Sequence, residues 1–421
     1  MGSQPYLEVE ESYTITTSNI ELTGLYTTIQ GTNAYTDVIS GRIHSLLMTA
    51  NSSKDAYALR YDNGNMTWNT AINAVDYDIT TFNSVYNYTF AGSVTSVSTT
   101  NSLIVKLNPA TGAPECYTIF SPGQYMNSKI TAITYNNLLG KIIIVGTLNH
   151  PEPLIPSNSY NNRGFIATID PSNCTIDGPA YVSKQPTTFE DVAVNNNASS
   201  PYYGYTAIVG KALDASGEWK AYILIVSPSQ NIELTATFNT SNPSEAKAVS
   251  IYRETFIVGG TIKSASSIDG FMLGMDPLPN HSTAWLLNLT TNNDDAVNDV
   301  TTGSGLVTFT GYINKSSTNQ SLITGSLYPN TTIKTLYTYG EVNAAGNSIT
   351  IGPQNKIHVV GTISTIYPNI LQPANTALLQ PQLYPPQPTT LGNTLSPTDI
   401  VQYQTQLTSY DPQVGVDIAG G

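Results

Sequence analysis

Charge is scarce in this sequence: 11% of its 421 residues are Asp, Glu, Lys or Arg, where soluble proteins ordinarily carry about 25%. Lys and Arg number only 16, spread along the whole chain, and the net charge is -13. That balance excludes nucleic acid as a partner, because phosphate binding needs clustered cations. Long apolar runs are missing too. The longest, such as Ala221 to Val226, are strand-length, and no membrane-spanning helix is written here. Residues 1–12 lack the apolar core of a secretory signal. There are four histidines; His150 and His281 fall in loops with no Cys or His at ligand spacing, so no zinc signature forms. Gly303-Ser304-Gly305 opens no helix and makes no phosphate loop, and no nucleophile elbow occurs.

Polarity comes instead from Asn, Thr, Ser and 27 tyrosines. A surface kept in water by neutral groups loses little when carboxylates protonate, so the composition suits an acidic medium. The strongest pattern is a repeat. Six times a short β-branched run ends in a residue followed by proline: Asn108-Pro109, Asp170-Pro171, Ser227-Pro228, Asp276-Pro277, Tyr328-Pro329 and Gln380-Pro381. The prolines stand roughly 49 to 62 residues apart, near the upper range of repeat units that must stack to bury their faces.

Each unit has the same grammar. An alternating first run (Tyr35 to Ile39, Ala74 to Ile79, Ile130 to Ile133 and on to Ser348 to Ile351) precedes a mostly apolar second run that usually ends in glycine, as at Gly146, Gly210, Gly259 and Gly361. A third run leads to the proline and a looser fourth follows it. Short β-rich segments bounded by Gly, Pro, Asn and Asp, without sustained 3.6-residue periodicity, specify an all-β chain. A first unit that turns at Asp62-Asn63-Gly64 without proline brings the count to seven. The expected fold is a seven-bladed β-propeller of four-stranded antiparallel blades. Its domains run as an N-terminal segment (1–30), the propeller (31–381) and a Pro-rich tail (382–421). The N-terminal run Tyr13 to Leu22 is expected to close the last blade, and Ser396-Pro397-Thr398-Asp399 predicts a short helix over about 397–409.

The order Thr36-Asp37-Val38, an apolar strand, then Asp55-Ala56-Tyr57 through Asp62-Asn63-Gly64 to Trp68 resembles the secreted and surface β-propeller repeat family of bacteria and archaea. Asp269-Gly270-Phe271, Asp276-Pro277 and Trp285 repeat it. The likeness covers roughly residues 30–380 and implies fold far more than function.

Candidate chemistry is sparse. His44 and His358, both in second strands, read as packed repeat residues. Asp37, Asp76, Asp191 and Asp299 recur at first strands, with Lys247 interrupting the series. No cofactor is called for; the one metal reading is calcium held by Asp37, Asp191 and Asp299 in a central channel. The plainer reading, which weighs more, is that each caps a turn or bonds the next blade. Asp294 and Asp295 with Asp299 form a weaker calcium group, better read as a solvated loop. Cys116 and Cys174 follow the turn prolines of adjacent units, where a disulfide or two free thiols are equally admissible. Sequons number eleven, close to the chance expectation of about nine, but Asn65, Asn173, Asn280 and Asn330 all fall in turns between third and fourth strands. Loops joining second to third strands share the opposite face, and Tyr160, Trp219 and Tyr367 there are the ligand-binding candidates.

These readings point to a non-enzymatic extracellular binding or structural surface protein, of a cell envelope or a virion, whose partner is protein or glycan. The alternatives are a secreted carbohydrate-active hydrolase or lyase using channel carboxylates, and a self-associating filament or lattice subunit reached through the tail.

Overall fold

Strands with apolar residues on both faces, such as Trp219–Val226 with its buried Lys220 to Ile225, are stable only when sheets cover them on either side. The chain meets that need with a ring of radially packed antiparallel sheets. The computed structural model describes residues 13–15, 20–30, 32, 34–44, 54–123, 127–149, 162–276, 281–316, 319–339, 344–363, 372–392, 395–410 and 418–420.

Six blades, in chain order, occupy residues 20–74, 79–122, 127–183, 187–238, 244–289 and 295–339. Each contributes four consecutive strands, the first innermost. Blades 1 and 2 also touch through one parallel bridge, Lys54 to Ile79. Between blade 6 and blade 1 sits a two-stranded sheet, Ala344–Ile351 with Ile357–Ile363. Asn298 of blade 6 donates to Gly346 O at 2.9 Å, and Asn347 donates to Leu22 O of blade 1 at 2.7 Å, closing the ring.

The expectation of seven four-stranded blades is thus corrected: among the described residues there are six blades, and each has five strands. The fifth strand comes from the C-terminal segment, which runs backward around the outside. Gln372–Pro373 pairs with blade 6, Leu379–Pro381 with blade 5, Pro388–Thr390 with blade 4, Leu395–Thr398 with blade 3, Ile400–Tyr403 with blade 2 and Leu407–Tyr410 with blade 1. Proline belongs on such a strand because nothing further out requires its missing N–H. Gln380-Pro381, read as a blade turn, therefore lies in this belt. The helix expected over 397–409 is replaced by belt strands, since the open edge of each fourth strand rewards extended pairing and a residue preceding proline disfavours helix.

The N-terminal run also differs from expectation. Tyr13–Ile15 pairs with Ile418–Gly420, and Ile20–Ile29 is the inner strand of blade 1, not a closing strand of the last blade. Leu22 and Leu25 pack there against the cluster of Ile39, Tyr57, Leu59 and Ala71, which fixes its place. Tyr35–His44 is consequently a second strand, and residues 75–78 link two blades.

All seven inner strands slip register by one residue, at Thr23, Asn83, Thr131, Glu190, Lys247, Asn298 and Asn347. These are β-bulges, and they explain the recurrent glycine. A Cβ on Gly92, Gly146, Gly210, Gly260, Gly311 or Gly361 of the adjacent second strand would overlap the carbonyl oxygen of Thr81, Lys129, Thr188, Glu245, Ala296 or Ala345, two residues before the bulged one. Gly210→Ala is expected to destabilise the protein by about 1–3 kcal/mol, read from denaturant unfolding, because strand backbone and not a flexible side chain must move.

Cys116 in the fourth strand of blade 2 and Cys174 in the third-to-fourth turn of blade 3 form a disulfide, with Cα atoms 5.8 Å apart. In the chain-entropy view, closing a loop of this length contributes roughly 4 kcal/mol.

Candidate functional site

The bulged residues build the centre of the ring. A bulge turns one side chain off the strand's regular alternation, and here that side chain reaches sideways to the next inner strand. Thr23 Oγ1 donates to Phe82 O (2.8 Å), Asn83 to Ile130 O (2.7 Å), Thr131 to Phe189 O (2.6 Å), Asn298 to Gly346 O and Asn347 to Leu22 O. In each case the acceptor is the carbonyl just before the neighbour's own bulge, so the bonds form a circumferential girdle.

Two places break the rule, and both carry charge. Glu190 of blade 4 and Lys247 of blade 5 stand at girdle positions, and Lys247 Nζ instead meets Asn298 Oδ1 at 3.3 Å. Burial raises the pKa of Glu190, with Glu245 adding to it, and burial lowers that of Lys247. Lys211 pairs with Glu245 at 2.9 Å, and its Nζ lies 5.7 Å from the Trp219 ring centre. Trp219, half-buried at the start of its strand, thus lies beside the Lys211–Glu245 pair, whose carboxylate acts through its charge on Glu190 and Lys247.

After three of the bulges the next residue, Ser84, Asp191 or Asp299, supplies a second tier of contacts. Ser84 accepts from Ile133 N at 3.3 Å and Asp191 from Val249 N at 2.8 Å. Asp299 accepts from Ile349 N and Ser348 Oγ, both at 2.8 Å. Desolvation pushes Asp191 up to about 8, with the Asp299 charge second, and desolvation pushes Asp299 up to about 6. These carboxyls hold adjacent blades together, the plainer of the two readings drawn from sequence.

Asp37 is elsewhere. It lies in the second strand of blade 1, accepts from Thr27 at 2.5 Å, and pairs with His358 Nδ1 at 3.0 Å, fastening the two-stranded sheet to blade 1. Tyr35 meets the same imidazole edge-on at 4.7 Å. His358 is thus an interblade partner, not a simple core residue. His44 does not correspond to it, since alignment on Gly41 and Gly361 matches His358 to Val38. Asp76 lies in the link between blades 1 and 2 and accepts from belt residue Thr405 at 3.0 Å. Asp295 is buried, accepts from Thr291 and Asn314, and is raised by burial to about 6, while Asp294 accepts from Ile268 N. Among the described residues no group of three or more His, Cys, Asp or Glu side chains is placed to hold a metal ion.

Asn65, Asn173 and Asn330 are exposed in the turns expected for them. Tyr160, Tyr367 and Asn280 lie outside the described residues. Sequence reasoning passed over the girdle, although a signal exists: a polar residue between an apolar or glycine residue and Gly, Ser, Ala or Asp, as in Phe82-Asn83-Ser84, Phe189-Glu190-Asp191 and Val297-Asn298-Asp299.

No protein-family model matches the chain. Nor does any curated protein. No described helix is long and apolar enough to cross a membrane, which leaves strands untested as spans.

Proposed function

We propose that this protein is a non-enzymatic extracellular binding or structural surface module, of a cell envelope or a virion, which recognises protein or glycan through the propeller loops beside Trp219. The observation that carries this reading is the employment of the channel carboxyls: Asp191 and Asp299 accept backbone N–H groups of neighbouring inner strands, which suits a scaffold and leaves recognition to its rim. The Asp-Ala-Tyr and Asp-Gly-Phe grammar, resembling secreted propeller repeats, and the Cys116–Cys174 disulfide support an oxidising, extracellular setting.

A second reading, a carbohydrate hydrolase, draws on the elevated pKa values of Asp191 and Asp299, since carboxyls with separated pKa values are what acid–base hydrolysis uses. One experiment separates the two. Binding to a glycan array and to envelope proteins is measured for the parent chain and Trp219→Ala, alongside polysaccharide hydrolysis for the parent and Asp191→Asn. Binding weakened about tenfold or more by Trp219→Ala, the scale of a buried aromatic anchor, is the expected result. Hydrolysis that disappears in Asp191→Asn would overturn the proposal.

A further inference from the structure

In each blade the turns from first to second strand and from third to fourth strand emerge on one face of the ring, while the links from second to third strand and from blade to blade emerge on the other. A glycan needs room at both ends of its acceptor sequence, the asparagine and the hydroxyl residue two positions on. That requirement sorts the sequons. Thr89 and Ser321 are buried, which removes Asn87 and Asn319, while Asn288 and Asn314 are themselves half-buried. Among the described residues four sequons on the first face have both ends exposed: Asn65 with Thr67, Asn173 with Thr175, Asn197 with Ser199, and Asn330 with Thr332. Asn197 comes from a first-to-second turn, which only the topology places beside the others.

Two of these turns share a local geometry, Asn330 keeps part of it by accepting from Thr332 N at 3.2 Å, and Asn65 departs from it, its Nδ2 donating to Asn63 O at 3.4 Å. Asn197 Oδ1 accepts from Ser199 N at 3.1 Å and Ser199 Oγ at 2.7 Å, and Asn173 Oδ1 accepts from Thr175 N at 3.0 Å and Thr175 Oγ1 at 2.7 Å. Each pair of bonds engages the amide oxygen of an asparagine that is itself exposed. Among the described residues the opposite face has one sequon open at both ends, Asn239 with Ser241. There the belt intervenes, with Gln387 O accepting the Asn239 N–H at 3.1 Å.

We propose that Asn197 is a glycan attachment site and that, with Asn65, Asn173 and Asn330, it makes one face of the ring sugar-bearing, leaving the Trp219 face bare for its partner. The proposal rests on the extracellular reading above. The reaction joins Asn Nδ2 to the anomeric carbon of an oligosaccharide carried on a lipid phosphate. The bond from that carbon to phosphate oxygen breaks, the lipid phosphate leaves with the electron pair, and the amide proton passes to a base of the transferase.

The test is peptide mass mapping of the protein isolated from the organism that makes it, without reduction, with an Asn197→Gln variant expressed in the same host. Hexose-containing mass additions on the Asn65, Asn173, Asn197 and Asn330 peptides are expected, and the variant loses one of them. Sugar on Asn87, Asn239 or Asn319, or a bare Asn197 in a chain glycosylated elsewhere, overturns the one-face assignment. A chain with Cys116–Cys174 bridged but no sugar overturns glycosylation and spares the extracellular reading. Free thiols without sugar overturn both.

Discussion

Removal of residues 372–421 is expected to lower the melting temperature by more than 10 °C and to turn a monodisperse protein into an aggregating one. The belt covers the outer edge of every five-stranded blade, and its loss uncovers six rows of unpaired backbone groups at once. A bare sheet edge is a template for another chain. Each lost hydrogen bond is worth only about 1 kcal/mol net, but the pairs extend over all six blades, and side chains go with them. Tyr403 and Leu407 pack on the core of blades 1 and 2, Leu391 and Leu395 on that shared by blades 3 and 4, and Leu379 is buried beside Leu287 and Leu289. Differential scanning calorimetry with light scattering checks this. A truncated chain that melts within a few degrees of the parent and stays monodisperse would show the belt to be ornament.

Acidification from pH 7.5 to pH 5 is expected to raise the melting temperature by several degrees. Asp191 is pushed up to about 8, Asp299 and Asp295 to about 6, and Glu190 and Asp269 are raised by burial. A carboxyl whose pKa is higher folded than unfolded binds more protons in the native state. Stability therefore falls as pH climbs from about 4 toward 8 and returns on acidification. His281, lowered by burial, opposes this below about pH 6.5 and takes back part of the gain; the carboxyls shifted the other way oppose it only at lower pH. Asp170, held at about 2 by Ser172 and Lys141, and Asp62 and Asp214, lowered by hydrogen bonds that outweigh desolvation, are ionised in both states above about pH 5. Their contribution disappears below about pH 4. Asp191→Asn keeps a side-chain acceptor for Val249 N without the charge. It should stabilise the protein at pH 7.5 and change little near pH 4. Melting curves across this range decide the matter; a flat profile, or one rising with pH, sinks the argument. The preference for acid, read in sequence from the scarcity of carboxylates, thus has a second source in a few buried ones.

Much of the ring is legible before any coordinates. The second-strand glycines recur because a bulge faces them, and the apolar third strands recur because both their faces are covered, so the period survives in composition. Cys116 and Cys174 are legible for the same reason, both being anchored to the repeat's turn. The belt is not legible. Its strands are two to four residues long, too short to alternate, and Pro373, Pro381, Pro388 and Pro397 argue against strand everywhere except on an edge. Their conformation is dictated by the edge they cover, a tertiary cause that local pattern cannot carry. The inner site lies between these cases. Asp191 and Asp299 stand out by type and place, whereas Glu190 and Lys247 gain meaning only once Thr23, Asn83, Thr131, Asn298 and Asn347 are seen to form a single ring of bonds.

The backward course of the belt also imposes a schedule. During synthesis the outer edge of blade 6 waits only for the short stretch to Gln372, but the edge of blade 1, at Asn65–Ala74, waits for Leu407–Tyr410. At ribosomal speeds of about 5–20 residues per second that is roughly 17–67 s of exposure. The first blade made is the last one covered, so the nascent chain has most to gain from a chaperone at its oldest part.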